Sequence, residues 1–289
     1  MKKLLITGAG GFLGQMLCEK AMAGWQVFGT VRSSRMTISG VHEIQVDLTQ
    51  RQDVIAMLDS LKPDAVIHAA AMADPNACQL QPIESKRINV DAAVTIAGWC
   101  ADHRIHLVFT SSDLVFDGLN APYRETDPAC PVNRYGEHKV LAEEEIRRIY
   151  PETAICRLSL MYGNRISSRH EPMSLILKSG RTIRLFTDEF RTPLFVETAA
   201  DGILLCLEKT RGLVHLGGGE RISRYEFGRL LARFLGVSEN RIIACSQIDI
   251  PMPSARPPDV SLNITLARKK GFNPPALIEV LRSFVANPP

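Results

Sequence analysis

The amino-acid sequence predicts an α/β protein built on a doubly wound parallel sheet. Short apolar runs alternate with segments of helical periodicity, and this alternation is typical of βαβ units. The run at residues 65–71 shows no regular alternation of apolar and polar side chains, as expected for a parallel strand covered on both faces. A glycine-rich turn joins the first apolar run to a helical pattern that begins at Phe12, which predicts a strand, a turn and a helix.

The predicted elements follow one another in a regular order. Strands are expected at residues 4–6, 25–31, 43–46, 65–71, 107–110, 154–158 and 213–216. After the helix that starts at Phe12, further helices are expected at residues 52–61, 82–100, 134–149, 198–208, 224–235 and 276–285. Prolines mark several of the helix boundaries, and the Pro-rich segments 113–133 and 251–258 are predicted loops. Right-handed crossovers place the carboxyl ends of the strands at one edge, where ligands bind.

The composition is that of an ordinary globular protein, with 45% hydrophobic and 22% charged residues. Lys and Arg number 34 against 31 Asp and Glu, a surplus too small to indicate nucleic acid or an anionic membrane as partner. No apolar stretch approaches the roughly 18 residues of a membrane span. The positive amino terminus is not followed by the apolar region of a signal peptide.

The seven cysteines are scattered and form no C-x-x-C pair. A disulfide framework and a zinc site are therefore not expected, and a reducing cytoplasm is the predicted compartment. The seven histidines are equally dispersed, so no metal site is predicted. His68, which ends an apolar run, and His138 are interpreted as structural.

Three glycines, Gly8, Gly11 and Gly14, form the turn after the first strand. Their spacing suits a dinucleotide: the first permits the turn, the second lets a pyrophosphate approach the backbone, and the third lets helix and strand pack closely. N–H groups of the first helical turn, around Phe12 and Leu13, would point at the phosphates. A glycine-rich loop without a ligand is the alternative.

The strand and helix alternation loosens near residue 163 and returns near residues 198–217. We therefore expect a Rossmann-type dinucleotide-binding domain formed by residues 1–162 and about 198–217. A smaller C-terminal lobe, interleaved with that domain, is expected from about residues 163–197 and 218–289 and would bind the substrate. A chain of 289 residues can bury the core of such an arrangement.

Hydroxyl side chains end the strand at residues 107–110, and a Tyr–Lys pair lies in the helix that follows. Tyr135 and Lys139 are four residues apart, which places both side chains on one helical face with Cβ atoms about 5–6 Å apart. An ammonium near a phenol lowers the phenol's pKa, so Tyr135 is expected to exchange a proton with a carbonyl or alcohol near neutral pH. Ser112 would hydrogen-bond the same oxygen. A Tyr–Lys pair alone is more typical of a plain surface contact, but the glycine turn and the strand end favour catalysis.

The glycine turn, Ser112 and Tyr135-x-x-x-Lys139 together resemble the extended branch of the short-chain dehydrogenase/reductase superfamily. The dTDP-4-dehydrorhamnose reductase family is similar in three further segments: SSDLVFDG at 111–118, PYRETD at 122–127 with P-x-N-x-Y-G-x-x-K at 131–139, and RPPDVSL at 256–262. The resemblance implies that Ser112, Tyr135 and Lys139 are the catalytic triad and that Lys139 also holds the nicotinamide ribose. It implies hydride transfer from a reduced nicotinamide to a 4-keto sugar on a nucleotide.

The cofactor is predicted to be NADP(H), with NAD(H) as the alternative. An NAD-binding fold places a carboxylate about 20 residues past the glycines, whereas this chain has Arg32 and Ser33 there. Arg32 suits a 2′-phosphate and Ser33 could assist; a solvent-facing arginine is the other interpretation. The family resemblance adds Asp47 and Leu48 near the adenine, and Ala69, Ala70 and Ala71 along the ribose and pyrophosphate.

The substrate side is predicted from fewer residues. Ser112 and Asp113 stand at the strand end, and Arg256 and Arg191 are candidate phosphate clamps because a guanidinium binds phosphate bidentately. A structural role is the alternative for each arginine. The chain departs from the rhamnose-forming reductases at Leu160, where a Trp is expected, and at Leu114, where a Tyr is often seen.

The sequence thus predicts an NADPH-dependent reductase acting on a keto group of a nucleotide-linked sugar. One alternative is a sugar-nucleotide epimerase or dehydratase, against which Arg32 argues because epimerases generally retain NAD. Another is a non-catalytic, cofactor-binding regulatory subunit, because the methionine adenosyltransferase beta subunit resembles the same family. The expected partner is a small nucleotide-sugar molecule, not nucleic acid or membrane, and a homodimer is a further option.

Overall fold

The structure is a computed structural model that describes residues 1–33, 38–163, 171 and 173–286. Its strands are β1 Lys3–Thr7, β2 Gln26–Val31, β3 His42–Gln45, β4 Ala65–His68, β5 His106–Ser112, β6 Ala154–Leu158, β7 Met161–Tyr162, β8 Ile183–Phe186, β9 Phe190–Arg191, β10 Leu194–Phe195, β11 Gly212–Leu216, β12 Ile222–Ser223 and β13 Ile242–Cys245. Its helices are α1 Phe12–Ala21, α2 Arg51–Leu61, α3 Pro75–Leu80, α4 Pro82–Lys86, α5 Ala92–His103, α6 Arg134–Ile149, α7 Met173–Lys178, α8 Val196–Lys209, α9 Arg224–Phe234, α10 Thr265–Lys269 and α11 Leu277–Ala286.

Seven strands form one parallel sheet in the order β3-β2-β1-β4-β5-β6-β11. The chain builds outward from β1 to β3 and then crosses to the other side of β1 for β4, β5 and β6. The crevice at this change of direction, at the carboxyl ends of β1 and β4, is where doubly wound sheets bind ligands. The predicted α/β fold class is confirmed, and the strand expected at residues 213–216 joins the sheet as β11.

Helices cover both faces of the sheet, so the core has two layers. Leu4 and Ile6 of β1 face α1 and α8, whereas Leu5 between them packs with α2, α5 and α6. Successive strand side chains point to opposite faces, and all three are fully buried. Burial on both faces explains why the central strands are apolar at consecutive positions.

A third apolar cluster lies outside the large sheet. The parallel pair β8 and β13 packs against α9 and α11, and Leu185, Phe227, Ile242 and Leu281 are buried there. Two shorter pairs, β7 with β10 and β9 with β12, connect this region to the sheet. The strands of these three pairs and the helices α3 and α7 have two to six residues each; they carry no readable periodicity and were not predicted. Residues 164–170, 172 and 287–289 of the predicted lobe lie outside the described residues.

Two predicted elements differ in extent from the observed ones. The strand expected at residues 65–71 ends at His68, because the hydroxyl of Thr7 accepts hydrogen bonds from the backbone N–H groups of Ala69 and Ala70, both at 3.2 Å. The helix expected at 82–100 is formed by α4, a π-helical turn at Arg87–Asp91 and α5. None of the helices in the described part of the chain combines the length and apolar character needed to cross a lipid bilayer.

Candidate active site

A cleft of about 1310 Å³ opens at the carboxyl ends of the central strands. It is lined by most of the residues predicted from the sequence, namely Gly8, Gly11, Phe12, Leu13, Gly14, Arg32, Ala69, Ala71, Ser112, Asp113, Tyr135, Lys139, Arg191 and Arg256. The predicted cofactor and substrate residues therefore face one shared space. Four predicted positions, Ser33, Asp47, Leu48 and Ala70, do not line this cleft.

The glycine turn is shaped by close backbone approaches. Gly8 has a φ of 70°, and a Cβ there would lie 2.7 Å from the Cα of Ala70. A Cβ on Gly14 would lie 2.1 Å from the carbonyl oxygen of Gly8, so only glycine lets α1 start this close to β1. The N–H of Gly11 donates to the same carbonyl at 2.9 Å. These contacts explain the three-residue spacing and direct the amino terminus of α1 toward the cleft.

His68 fixes the loop opposite the glycine turn. The Thr7 hydroxyl already accepts two backbone N–H groups, from Ala69 and Ala70, so its single proton is donated to Nδ1 of His68 at 2.7 Å. Burial lowers the pKa of His68 to about 3, and the imidazole is therefore neutral. The structural interpretation of His68 agrees with these contacts.

Charged side chains of both signs lie at the far end of the cleft and just outside it. The guanidinium of Arg32 is half-exposed and lies 3.9 Å from the carboxylate of Glu84, which is also 3.9 Å from Arg87. Asp47 accepts hydrogen bonds from the N–H and hydroxyl of Thr49 at 2.9 and 2.8 Å, and these bonds lower the pKa of its carboxyl. Arg32 is thus held at the cleft by one weak, exposed ion pair.

Ser112 and Tyr135 are brought together because α6 packs against the segment that follows β5. A Cβ on Gly136 would lie 2.1 Å from the carbonyl oxygen of Leu114, so the first turn of α6 touches the segment that follows Ser112. The side chain of Asn133 caps the helix by accepting the N–H of Gly136 at 2.9 Å. The hydroxyl of Ser112 lies close enough to the phenol of Tyr135 to lower its pKa. Both side chains are buried and line the cleft.

The expectation that the pKa of Tyr135 is lowered toward the neutral range is wrong for this structure. Burial raises the pKa of the phenol well above its ordinary value, and Cys78 and Asp113 raise it further, which outweighs the lowering effect of Ser112. Burial likewise lowers the pKa of Lys139 to about 8. Tyr135 is therefore protonated at neutral pH, which is the form that donates a proton to a carbonyl oxygen.

A buried ion pair lies directly behind these residues. Glu143 follows Lys139 by one helical turn and receives two N–H groups of Arg157, with the shortest contact 2.7 Å. The hydroxyl of Ser111 donates to the other carboxylate oxygen at 2.5 Å. The ammonium of Lys139 lies 4.3 Å from the ring centroid of Phe109, and Glu143 opposes the effect of burial on its pKa. This network ties β5, β6 and α6 together under the cleft.

The substrate side of the cleft contains a second buried group of charges. Asp113 accepts hydrogen bonds from Ser112 and Ser159, both at 3.2 Å, and lies 3.7 Å from the guanidinium of Arg191. Arg191 also pairs with Glu189 at 3.1 Å. Burial raises the pKa of Asp113, whereas Arg191 lowers it. Arg191 lines the cleft, but the carboxylates of Asp113 and Glu189 already neutralise its charge.

Several cleft residues were not predicted. The most consequential are Glu189, which pairs with Arg191, and Arg224, which opens α9. Arg224 lies within a capping box formed by Ser223 and Glu226, a sequence signal for a helix start but not for a binding site. Among the described residues no group of three or more His, Cys, Asp or Glu side chains could hold a metal ion.

Comparison with known proteins identifies a family over the whole chain: the sequence profile described as the RmlD substrate binding domain matches residues 1–288. A probable low-salt glycan biosynthesis reductase of Haloferax volcanii, Agl14, is 29% identical and covers 97% of this chain and 96% of its own. The dTDP-4-dehydrorhamnose reductase of Aggregatibacter actinomycetemcomitans is 27% identical over 92% of each chain. The methionine adenosyltransferase 2 subunit beta of Pongo abelii is 27% identical over 80% of this chain and 71% of its own.

Solved structures share the fold. A hypothetical dTDP-4-dehydrorhamnose reductase from Sulfolobus tokodaii superposes with a TM-score of 0.82 and 29% identity, over 93% of this chain and 94% of that one. The dTDP-4-dehydrorhamnose reductase of Bacillus anthracis, solved in complex with NADP, gives a TM-score of 0.85 over 99% of both chains at 23% identity. At that identity the second likeness establishes the fold alone.

Proposed function

The chain belongs to the RmlD substrate binding domain family, and from this membership and the geometry of the cleft we propose that it uses NADPH to reduce a keto group on a nucleotide-linked sugar. The family comprises sugar-nucleotide reductases, which are NAD(P)-dependent oxidoreductases of the extended short-chain dehydrogenase/reductase kind. The finer assignments to this chain, namely its cofactor preference, its substrate and the role of each residue, are proposals.

One observation carries the proposal: Ser112, Tyr135 and Lys139 line the same cleft as the glycine turn. The turn suits a pyrophosphate because a Cβ at Gly8 or Gly14 would collide with backbone, and because the first turn of α1 contains no acidic residue that would repel phosphate. The bound cofactor would supply the hydride. The chain's own catalytic groups would then act on the other end of the carbonyl.

We assign the proton transfer to Tyr135. Its buried, protonated phenol would donate to the carbonyl oxygen as the hydride reaches the carbon, and the Ser112 hydroxyl would orient that oxygen. Lys139, whose ammonium is buried on the same helical face, would contact the nicotinamide ribose and favour the phenolate left behind. The cleft thus contains the groups for an acid-assisted reduction.

The substrate is proposed to be a nucleotide-linked keto sugar, bound by the part of the chain outside the large sheet. Arg191 and Arg256 come from that part and line the cleft, which supports the division into a dinucleotide-binding domain and a substrate lobe. Leu114 and Leu160 also line it, where the rhamnose-forming reductases carry aromatic residues. A sugar pocket lined by leucines favours a substrate other than the rhamnose precursor itself.

The test is a spectrophotometric assay with NADPH and a panel of nucleotide-linked 4-keto sugars. Loss of NADPH absorbance in a one-to-one ratio with reduced product is the expected result. Isomerised product without net NADPH loss would indicate an epimerase instead. Tight NADPH binding with no turnover on any sugar would favour a regulatory subunit, the role that the likeness to methionine adenosyltransferase 2 subunit beta keeps open.

The proposed NADP(H) preference depends on Arg32. Replacing Arg32 with Ala should weaken NADPH binding by about 10–100-fold, because a charge-assisted bond to the 2′-phosphate is worth about 1.5–3 kcal/mol. Binding of NADH, which lacks that phosphate, should change less than about twofold. Calorimetric titration of both cofactors measures the two effects, with Arg51→Ala on the nearby surface as the control. An equal loss for NADPH and NADH would contradict the assignment.

A further inference from the structure

Three arginines lie together at the substrate side of the cleft, but only one has a carboxylate partner. Arg191 pairs with Glu189 and Asp113. Within the described part of the chain, no carboxylate lies within ion-pair distance of the guanidinium of Arg224 or Arg256. Both side chains are partly exposed and line the cleft. Among the described residues, the cleft therefore presents these two partly buried guanidinium groups, and the exposed guanidinium of Arg184 on β8, without a carboxylate in direct contact.

Arg224 is fixed in this position by backbone contacts. The antiparallel pair of β9 and β12 joins Ile222 to Arg191 and Ser223 to Phe190, and the N–H of Arg224 donates to the carbonyl oxygen of Glu189 at 2.9 Å. The capping box at Ser223 then starts α9 at Arg224. The side chain of Arg224 consequently emerges beside the Glu189–Arg191 pair rather than on the outer surface of the helix.

Arg256 is fixed to the catalytic helix. The side-chain amide of Asn133, which caps α6, donates to the carbonyl oxygen of Ala255 at 3.0 Å. The guanidinium of Arg256 donates to the hydroxyl of Ser254 at 3.3 Å, and Pro257 stiffens the segment on the other side. Tyr135 lies in the first turn of α6, so the contact with Asn133 fixes the position of Arg256 relative to the proposed proton donor.

The charges around this pair favour an incoming anion. Burial lowers the pKa of Arg224, and Arg191 and Arg256 lower it further, with Glu189 and Asp113 acting in the opposite direction. Burial and the charge of Arg191 also lower the pKa of Arg256, whereas Glu189 and Asp74 raise it. Three guanidinium groups thus share a space with two carboxylates that already hold Arg191 and with the carboxylate of Asp74, which acts on Arg256 from beyond ion-pair distance. A bound anion would stabilise the two arginines that remain.

We propose that Arg224 supplies a second cation, beside the candidate phosphate clamp Arg256, for the diphosphate of the nucleotide-linked substrate. Each guanidinium presents a planar fork of N–H donors that matches two phosphate oxygens, so two arginines suit two linked phosphates. Arg191 instead positions Asp113 beside Ser112. This inference rests on the proposed function and names the residue that recognises the anionic part of its substrate.

The test measures binding rather than turnover. With the cofactor site saturated by NADP⁺, dTDP, UDP and inorganic pyrophosphate are titrated calorimetrically into the full-length protein and into Arg224→Gln. The variant should bind each probe about 10–100-fold more weakly, the loss expected for a charge-assisted hydrogen bond, and Arg224→Lys should recover part of it. Thymidine, which lacks phosphate, should bind equally to both proteins.

The matched control is Arg233→Gln, on the outer face of the same helix, where the side chain is 63% exposed and pairs with Glu239. It should bind all probes as the wild type does, and the thermal midpoints of the variants should agree. Retention of dTDP and pyrophosphate affinity by Arg224→Gln within twofold would overturn the inference, as would a wild type that binds none of the probes. Loss of diphosphate affinity in a protein that reduces no sugar would support the site and contradict only the proposed reaction.

Discussion

Replacing Tyr135 with Phe is expected to lower turnover by about 10²–10⁴-fold, the usual contribution of a positioned general acid. The change removes the only group in the proposed mechanism that donates a proton to the carbonyl oxygen, and it leaves the ring that fills the buried position. Burial keeps the pKa of this phenol high, so the wild-type group is in the donating form throughout the neutral range. Steady-state kinetics with NADPH and an accepted keto sugar measure the effect.

The control for this prediction is the affinity for cofactor. Tyr135→Phe should bind NADPH within a few-fold of the wild type, because the glycine turn and Lys139 are unchanged. Tyr150→Phe, just beyond the carboxyl end of the same helix, should retain full turnover. If Tyr135→Phe reduces the substrate at the wild-type rate, the phenol is not the proton donor.

The sequence was sufficient for the architecture, for the glycine turn and for the start of α6 because all three depend on short, local patterns. The glycine spacing reflects the close backbone contact between residues 8 and 14. Helix α6 has the predicted bounds because an asparagine caps its amino end and Tyr-Pro ends it. Tyr135 and Lys139 share a helical face by spacing alone.

The residues on the substrate side of the cleft could not be predicted from local patterns, because their contacts join segments that are distant in the sequence. Glu189, Arg224 and Arg256 meet only because two-residue strands pair across about 30 residues and a capping amide holds the loop at Ala255. None of these elements is long enough to leave a periodic pattern. The pKa of Tyr135 was mispredicted for a related reason: spacing reveals the neighbouring ammonium but not the extent of burial, which has the larger effect.

Glu143 illustrates the same limit, and its sequence context is misleading. It is the first of three consecutive glutamates in α6, a run that looks like a solvated helix face. Glu144 and Glu145 are indeed at least partly exposed, whereas Glu143 is 4% exposed. Its carboxylate accepts hydrogen bonds from Arg157 of β6 and from Ser111 of β5. Ser111 directly precedes Ser112, the proposed catalytic serine.

Replacing Glu143 with Gln should therefore lower the free energy of unfolding by about 3–5 kcal/mol, because the guanidinium of Arg157 would remain buried without its countercharge. Urea unfolding measures the loss, and Glu145→Gln, in an exposed pair with Arg148 at 2.7 Å, should cost less than about 1 kcal/mol. The double variant Glu143→Leu, Arg157→Met should recover much of the stability, since an apolar pair of similar volume removes both buried charges.

The same substitution should change the pH dependence of turnover. Burial lowers the pKa of Lys139 to about 8 and Glu143 opposes that effect, so in Glu143→Gln the ammonium should lose its proton at a lower pH. If the charged form of Lys139 supports the phenolate of Tyr135, turnover falls as the pH rises through the pKa of Lys139. The alkaline limb of the profile should then move to lower pH in the variant, whereas Glu145→Gln should leave it in place. If the alkaline limb of folded Glu143→Gln does not shift, the Glu143–Arg157 ion pair does not influence catalysis, and its role is only to hold β5, β6 and α6 together.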